Sequence, residues 1–359
     1  MLVFLEKLRL LLGLPMESQA YSLLIKMPSI LADLFCGGAV LLLAQRKLGE
    51  KSALLLSGAY LFCPAVFLNS AQWGQADSFC TAILLASLLL LCQERYIPSA
   101  VLYGLSIACK PQMFIFAPLY LFFALKRRRF GMLGLGVLLA VGTLLLTALP
   151  FTQDFNFLWL LERYQSTLDY YSFYSVNAYN FWSLIGWNWK LCAGLAGDAL
   201  DLLGAVIATV LCGVWVFRSK SRAVVFYCPA LLMAAMYAFS VKMHERYLFP
   251  ALLFLLLSFV FTRDKGMLRA LPCALWPITP MWPMCCGSSG NITTAITQYG
   301  AHPGLSAAAG GLGVRCLGGG RVFLLGGVRL ARSPSPDPCW TAPPWTAAST
   351  GGTGPPFCW

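Results

Sequence analysis

The chain has 359 residues, of which 58% are hydrophobic and only 11% are charged, and its formal net charge is +12. Soluble domains typically carry about 25% charged residues, so this chain has too few charges to solvate the surface of a globule of its size. The composition argues against a soluble enzyme, a disordered protein and a DNA-binding domain. It predicts a polytopic membrane protein, in which basic residues report topology and no nucleic-acid partner is expected.

The composition changes at Gly266. Glycine and proline together supply 25 of the first 265 residues but 28 of the last 94. A Gly/Pro content near 30% without a repeat is typical of low-complexity sequence. The sequence therefore predicts a transmembrane core over residues 1–265 and a low-complexity Gly/Pro/Arg tail over 266–359. The tail's six cysteines and five tryptophans suit neither disorder nor a core. They favour a frameshifted reading frame, with a genuine divergent tail as the alternative.

The apolar runs of the core predict an all-α transmembrane bundle. A helix needs roughly 20 apolar residues to cross a ~30 Å hydrocarbon core. Two shorter runs, 97–109 and 112–125, predict a helical hairpin broken at Lys110-Pro111-Gln112, because proline interrupts the backbone hydrogen bonds of a helix. About seven other runs are candidate spans: 28–45, 52–69, 77–92, 131–149, 193–217, 223–240 and 247–262.

The basic residues predict the orientation of these spans. Clusters after alternate spans fall on one side, and by the positive-inside rule that side is the cytoplasm. The clusters are Arg46 with Lys47 and Lys51, Arg95, Lys126–Arg129, Arg218 with Lys220 and Arg222, and Arg263 with Lys265. The amino-terminal stretch then lies outside, so we expect an upstream span that this sequence lacks.

The polar segments of the outer side are the candidate sites, because ionisable groups within a bilayer are expensive. In Asn69–Asp77, the side chains of Gln72, Trp73, Gln75 and Asp77 are candidate contacts for a sugar or an acceptor. The alternative is a polar loop in which Asp77 caps the next helix.

The hairpin break supplies Lys110 and Gln112. Lys110 is either a snorkelling lysine or a ligand for a phosphate at a helix break. Further along, His244, Glu245 and Arg246 precede the last span as a cationic clamp for a phosphate or as an interfacial anchor. The segment lacks the second histidine of a zinc-binding HExxH motif, and no CxxC pair is present, so no metal site is expected.

Aromatic residues dominate 168–182, as a membrane belt or as a surface that stacks on a sugar or an isoprenoid. Tyr171, Asn177 and Asn180 are the candidate ligands there, and the two asparagines would share one face of a helix. Lys26 and Asp33 are seven residues apart and also share a helix face. We expect Asp33 to hold an interhelical hydrogen bond.

Four of these segments occur in the order found in a known family: NSAQWGQAD (69–77), KPQ (110–112), DYYSFYSVNAYNFW (169–182) and MHERYLFP (243–250). Together with KMPSILAD (26–33), they resemble bacterial integral-membrane mannosyltransferases related to the GPI mannosyltransferase that adds the second mannose. That family belongs to the GT-C superfamily of glycosyltransferases. The resemblance covers about residues 20–262 and implies a GT-C-like transmembrane bundle.

The resemblance implies a hexosyltransferase of the cytoplasmic membrane. A hexose, mannose in the family, would pass from a polyprenyl-phosphate carrier to a hydroxyl of a glycan, lipid or protein on the extracytoplasmic side. The family's catalytic acid lies in a first loop that precedes this sequence, which leaves Asp77 as a substitute base or an acceptor ligand. Lys110, His244 and Arg246 would stabilise the leaving phosphate, so no cofactor is expected.

Two alternatives stay open at this point. Without the first loop and with an aberrant tail, the chain is either an active enzyme or an inactive fragment of an active family. A polytopic transporter would also have intramembrane charges and a broken hairpin, but it would show an internal repeat, which this sequence does not.

Overall fold

In a computed structural model of the chain, the described residues are 2–152, 156–169, 172–192, 195–221, 223–275, 314–317 and 321–324. They are mostly helical, as the composition predicted. Their fourteen α-helices are α1 Leu2–Leu11, α2 Gln19–Leu48, α3 Glu50–Leu61, α4 Pro64–Phe67, α5 Asp77–Cys92, α6 Tyr96–Cys109, α7 Ala117–Lys126, α8 Phe130–Ala148, α9 Leu158–Asp169, α10 Phe181–Leu184, α11 Leu195–Arg218, α12 Val224–Phe239, α13 Phe249–Thr262 and α14 Lys265–Leu275.

Short irregular elements join these helices. A π-helical turn, Leu68–Gln72, follows α4, and 3-10 turns occupy Pro111–Phe116, Leu149–Phe151 and Glu245–Leu248. The described residues also contain two strand pairs that the sequence did not predict. The strand pairs are parallel β1 Ser175–Val176 with β2 Met243–His244, and antiparallel β3 Val314–Leu317 with β4 Arg321–Leu324.

Helix length decides which helices can cross a bilayer. Within the described part of the chain, four helical segments are long and apolar enough: Gln19–Leu48, Phe130–Phe151, Ala199–Arg218 and Glu245–Thr262. The run predicted at 52–69 is instead a pair of helices bent by 45°, which makes a fifth span if the pair is counted as one. Helices α5 and α12 have 16 residues each, or ~24 Å at ~1.5 Å per residue. The predicted count of about seven spans therefore stays a prediction.

The predicted break in the hairpin is confirmed. Helix α6 ends at Cys109, and Lys110 has an extended backbone with φ −151° and ψ 115°. Proline at 111 favours this geometry, because the residue before a proline is disfavoured in the helical region. Across the break, the rings of Tyr103 in α6 and Tyr120 in α7 stack with their centroids 4.2 Å apart. The chain therefore turns back at the break, which places the buried Lys110 between the two helices.

The core lies where α2, α5, α12 and α13 pack together. Helix α13 is buried along almost its whole length, whereas α8 presents exposed leucines and valines, as expected of a helix that faces lipid. Helix α8 packs closely on α6 at Gly104, where a Cβ atom would lie 2.5 Å from the carbonyl oxygen of Ala140. Only glycine permits this close contact between the two backbones.

Helix α14 begins at Lys265 and runs across the position where the composition changes. Beyond it, β3 and β4 pair in antiparallel orientation within the predicted low-complexity tail. The division into a core over 1–265 and a tail over 266–359 stays a prediction.

Candidate functional site

A buried ion pair joins two of the predicted segments. Asp77 is the first residue of α5, and its Oδ1 accepts a hydrogen bond from Nζ of Lys110 at the hairpin break. Asp77 is 1% exposed and Lys110 is 6% exposed. Oδ2 of Asp77 is buried and has no hydrogen-bond partner among the described residues. The pair therefore leaves one carboxylate oxygen available to accept a proton or a hydroxyl.

Tyr247 brings the two candidate cations to one place. Nζ of Lys110 lies 4.9 Å from the centre of the Tyr247 ring, and Cζ of Arg246 lies 5.8 Å from the same centre. Both distances are within the ~6 Å at which a cation is attracted to an aromatic face. Arg246 also lies beside Glu245, with Nη1 3.7 Å from Oε1. We call Asp77, Lys110, His244, Arg246 and Tyr247 the Tyr247 cluster.

His244 belongs to this cluster as a neutral imidazole. Its ring centre lies 5.0 Å from that of Tyr247. Burial lowers the pKa of His244 well below its usual value of 6.5, and the charges of Arg246 and Lys110 lower it further. A lowered pKa favours the neutral imidazole, which can donate or accept a hydrogen bond to a ligand. The role of His244 at a phosphate stays a prediction.

The aromatic segment docks directly on the Tyr247 cluster. In the β1–β2 pair, Val176 lies opposite His244, and a further bridge joins Asn177 to His244. The backbone N–H of Lys242 donates to the carbonyl of Phe173 at 3.0 Å. Two segments that are far apart in sequence therefore form one wall beside Tyr247. Of the predicted ligands in the aromatic segment, Tyr171 lies outside the described residues.

The two asparagines of this segment do not share a helix face, because the segment is not helical there. Asn177 has a left-handed backbone (φ 55°), and its Oδ1 accepts from Nε1 of Trp189 at 2.8 Å. Asn180 is the N-cap of α10, where its Oδ1 accepts from the N–H of Ser183 at 3.1 Å. Its Nδ2 is buried without a hydrogen-bond partner among the described residues.

A cavity of about 700 Å³ opens between this loop and α12. Amide, hydroxyl and aromatic side chains line it, including those of Asn180, Asn188, Phe181 and Tyr237. The hydroxyl of Tyr237 accepts from the N–H of Tyr179 at 2.9 Å and so ties the loop to the helix. A few convergent polar groups in a largely apolar cavity are typical of a binding site for a small ligand.

The remaining predicted residues occupy different surroundings. Gln72 is exposed, and Trp73 packs half-buried against the hydrophobic core. The backbone carbonyl of Gln75 accepts from the hydroxyl of Ser29 at 2.7 Å. Nε2 of Gln112 donates to the carbonyl of Tyr247 at 3.3 Å, which fixes the hairpin break against the start of α13. Through these contacts, Gln112 and the backbone of Gln75 hold neighbouring segments of the chain together.

The prediction that Asp33 holds an interhelical hydrogen bond is confirmed, since its carboxylate accepts from the hydroxyl of Ser70. Sequence reasoning did not single out Tyr247, Tyr237 or Ser70. Tyr247 directly follows the charged run at 242–246, and that adjacency was the available signal for it. Tyr237 lies within an apolar helix, and no pattern in the sequence distinguishes it.

Among the described residues, no group of three or more His, Cys, Asp or Glu side chains could hold a metal ion. No match to the chain was found among proteins of curated function. The model of glycosyltransferase family 87 matches residues 10–241. That stretch includes the Asp77–Lys110 pair and the loop that lines the cavity, and it ends just before His244. The chain therefore belongs to glycosyltransferase family 87.

Proposed function

We propose that this chain transfers a hexose, mannose by the motif resemblance, from a polyprenyl-phosphate carrier to a hydroxyl acceptor on the extracytoplasmic side of the cytoplasmic membrane. The family match supports a glycosyltransferase that uses a sugar donor and an acceptor. The proposal of a phosphate-linked donor depends on one observation. Lys110, which pairs with the buried Asp77, and Arg246 both lie within about 6 Å of the centre of the Tyr247 ring.

A lipid-linked donor suits this position. The 3-10 turn that carries Arg246 leads directly into α13, and together they form Glu245–Thr262, one of the described segments long and apolar enough to span a bilayer. A donor whose isoprenoid chain stays in the bilayer would present its phosphate at such a helix end. Two cations next to an aromatic ring can bind that phosphate in a partly dry site, where charge–charge attraction is stronger than in water.

The reaction needs charge stabilisation and a proton acceptor. The acceptor hydroxyl attacks C1 of the sugar, the bond from C1 to the phosphate oxygen breaks, and the polyprenyl phosphate leaves with the bonding electrons. Lys110 and Arg246 stabilise the negative charge that develops on the leaving group. The unpartnered Oδ2 of Asp77 is the best-placed base for the hydroxyl proton among the described residues. The cavity beside Asn180 and Tyr237 is the proposed site for the acceptor.

The test uses the whole chain in proteoliposomes with radiolabelled hexosyl polyprenyl phosphate. An arginine binds a phosphate through a planar fork of donors that lysine lacks. A charge-assisted hydrogen bond contributes roughly 1.5–3 kcal/mol, and ~1.4 kcal/mol corresponds to a tenfold change in rate. Arg246→Lys should therefore reduce transfer by at least about tenfold at an equal amount of protein.

The matched control is Arg263→Lys at the opposite end of α13, where Nη2 of Arg263 donates to the carbonyl of Lys47 on the exposed surface. That variant should transfer the sugar like the unchanged chain. Equal transfer by Arg246→Lys would remove Arg246 from the phosphate site. Transfer from a nucleotide sugar, but not from the lipid-linked donor, would refute the proposed carrier.

A further inference from the structure

One face of α2 holds the segment that leads to Asp77. The hydroxyl of Ser29 donates to the carbonyl of Gln75 at 2.7 Å, and one turn further along the helix the carboxylate of Asp33 accepts from the hydroxyl of Ser70. Ser29 is 1% exposed and Asp33 is 7% exposed, so water does not compete strongly for either bond. The two bonds fix both ends of the segment 70–75 against a single long helix.

The aliphatic part of Lys26 completes this face. A Cβ atom added at Gly74 would lie 3.2 Å from Cγ of Lys26, so the lysine side chain covers the glycine backbone. Gly74 has φ +67°, in the left-handed region that favours glycine. The contacts of α2 at residues 26, 29 and 33 follow the helical spacing of three and four residues.

The segment makes local backbone hydrogen bonds of its own, and its Trp73 packs half-buried against the hydrophobic core. It begins in a π-helical turn, which is rare and commonly short in proteins. It is followed by Ala76, the N-cap of α5, which has no side-chain oxygen to bond the first N–H groups of the helix. Backbone hydrogen bonds within the segment, such as Gln75 N–H to Asn69 C=O at 2.9 Å, close its turns but do not connect it to the rest of the bundle.

We propose that Ser29 and Asp33 are positioning residues that hold the segment 70–75 so that Asp77 meets Lys110. The inference rests on the proposed function for the role of Asp77, although the contacts themselves do not depend on it. Neither residue would touch the substrate. They would affect turnover by fixing the position of Asp77, and they would leave the binding of the donor phosphate at Arg246 unchanged.

Replacing Asp33 by asparagine and by leucine separates positioning from chemistry. Asparagine keeps an oxygen that can accept from Ser70, whereas leucine removes it. The contact with the Ser70 hydroxyl needs an acceptor oxygen and not a negative charge, so asparagine can preserve it. We expect Asp33→Asn to keep kcat within about threefold and Asp33→Leu to lower it by at least about tenfold, with the KM for the donor within about twofold in both.

Ser70→Ala removes the other half of the same bond. It also removes the bond from the Ser70 hydroxyl to the carbonyl of Val66 at 3.0 Å, so it should lower kcat at least as much as Asp33→Leu does. Adding Asp33→Leu to Ser70→Ala should change kcat little further, because the interhelical bond is already lost. The matched control is Ser57→Ala. The hydroxyl of Ser57 makes a buried interhelical bond to the carbonyl of Gly37 at 2.9 Å, away from the segment 70–75. This variant should retain the kcat of the unchanged chain.

Hydrogen–deuterium exchange of the peptide covering 68–77 tests the same contacts without an enzymatic readout. Its amide protons should exchange at least about tenfold faster in Asp33→Leu than in Asp33→Asn or Ser57→Ala. Unchanged exchange in Asp33→Leu would overturn the inference, as would loss of turnover in Asp33→Asn as severe as in Asp33→Leu. If the unchanged chain transferred no hexose, the proposed function would fail, while the exchange rates would still decide whether α2 holds the segment.

Discussion

The ion pair of Asp77 and Lys110 allows a quantitative prediction, because both side chains are almost completely buried. Removing one partner of such a pair leaves an uncompensated charge in the interior, at a typical cost of about 3–5 kcal/mol. Asp77→Ala and Lys110→Met should each lower the free energy of unfolding by about that amount. At an unfolding entropy of about 2.1 cal/mol/K per residue, a core of ~265 residues loses roughly 2 °C in Tm per kcal/mol, so each single variant should unfold ~6–10 °C lower.

The double variant should recover most of this loss. Replacing a buried ion pair by apolar groups is often neutral or stabilising, because neither charge then has to be desolvated. We therefore expect the double variant to unfold within about 3 °C of the unchanged chain. The measurement is thermal unfolding of the detergent-solubilised protein at one pH and one lipid content. Transfer of hexose should stay low in all three variants, because the double variant restores the fold and not the site.

Two results would refute this reasoning. Single variants that unfold within about 1 °C of the unchanged chain would mean that water reaches both side chains and that the pair is screened. A double variant that is destabilised by the sum of the two single effects would mean that the side chains act independently and do not form a pair.

Three further predictions concern the orientation of the chain, the protonation of His244 and the role of Asn180. Reporter or cysteine tags should place Arg128 in the cytoplasm and His244 outside, and the same side for both would contradict the orientation. The pKa of His244 lies below its usual value of 6.5, because the side chain is buried and lies near the charges of Arg246 and Lys110. As pH falls, His244 therefore stays neutral in the folded chain, whereas it binds a proton in the unfolded chain. Stability should therefore decline below about pH 6.5, and His244→Gln should reduce the fall in Tm between about pH 7.5 and pH 5. An equal fall in Tm in His244→Gln and in the unchanged chain would argue against a buried neutral imidazole. Asn180→Asp keeps the oxygen that caps α10 but replaces the buried Nδ2 donor, so it should raise the KM for the acceptor by about tenfold; an unchanged KM in transfer assays would remove Asn180 from the acceptor site.

The local features of this protein could be predicted from its sequence. Few charges and long apolar runs predicted a helical membrane protein, and the proline at 111 predicted the helix break at which Lys110 lies. Asp33 was expected to bond another helix, because a carboxylate in an apolar helix needs a partner. Each of these inferences depends on the properties of a short stretch of chain, such as helix length, backbone conformation or the cost of burying a charge.

Contacts between distant segments could be decided only by the tertiary structure. The Asp77–Lys110 pair joins residues 33 apart in sequence, and the β1–β2 pair joins Val176 to His244 although neither stretch has a strand pattern. Tyr247 became the centre of the site only because two cations from different elements approach its ring. A pattern in one segment specifies which groups need partners, but which partners they find depends on how the helices pack.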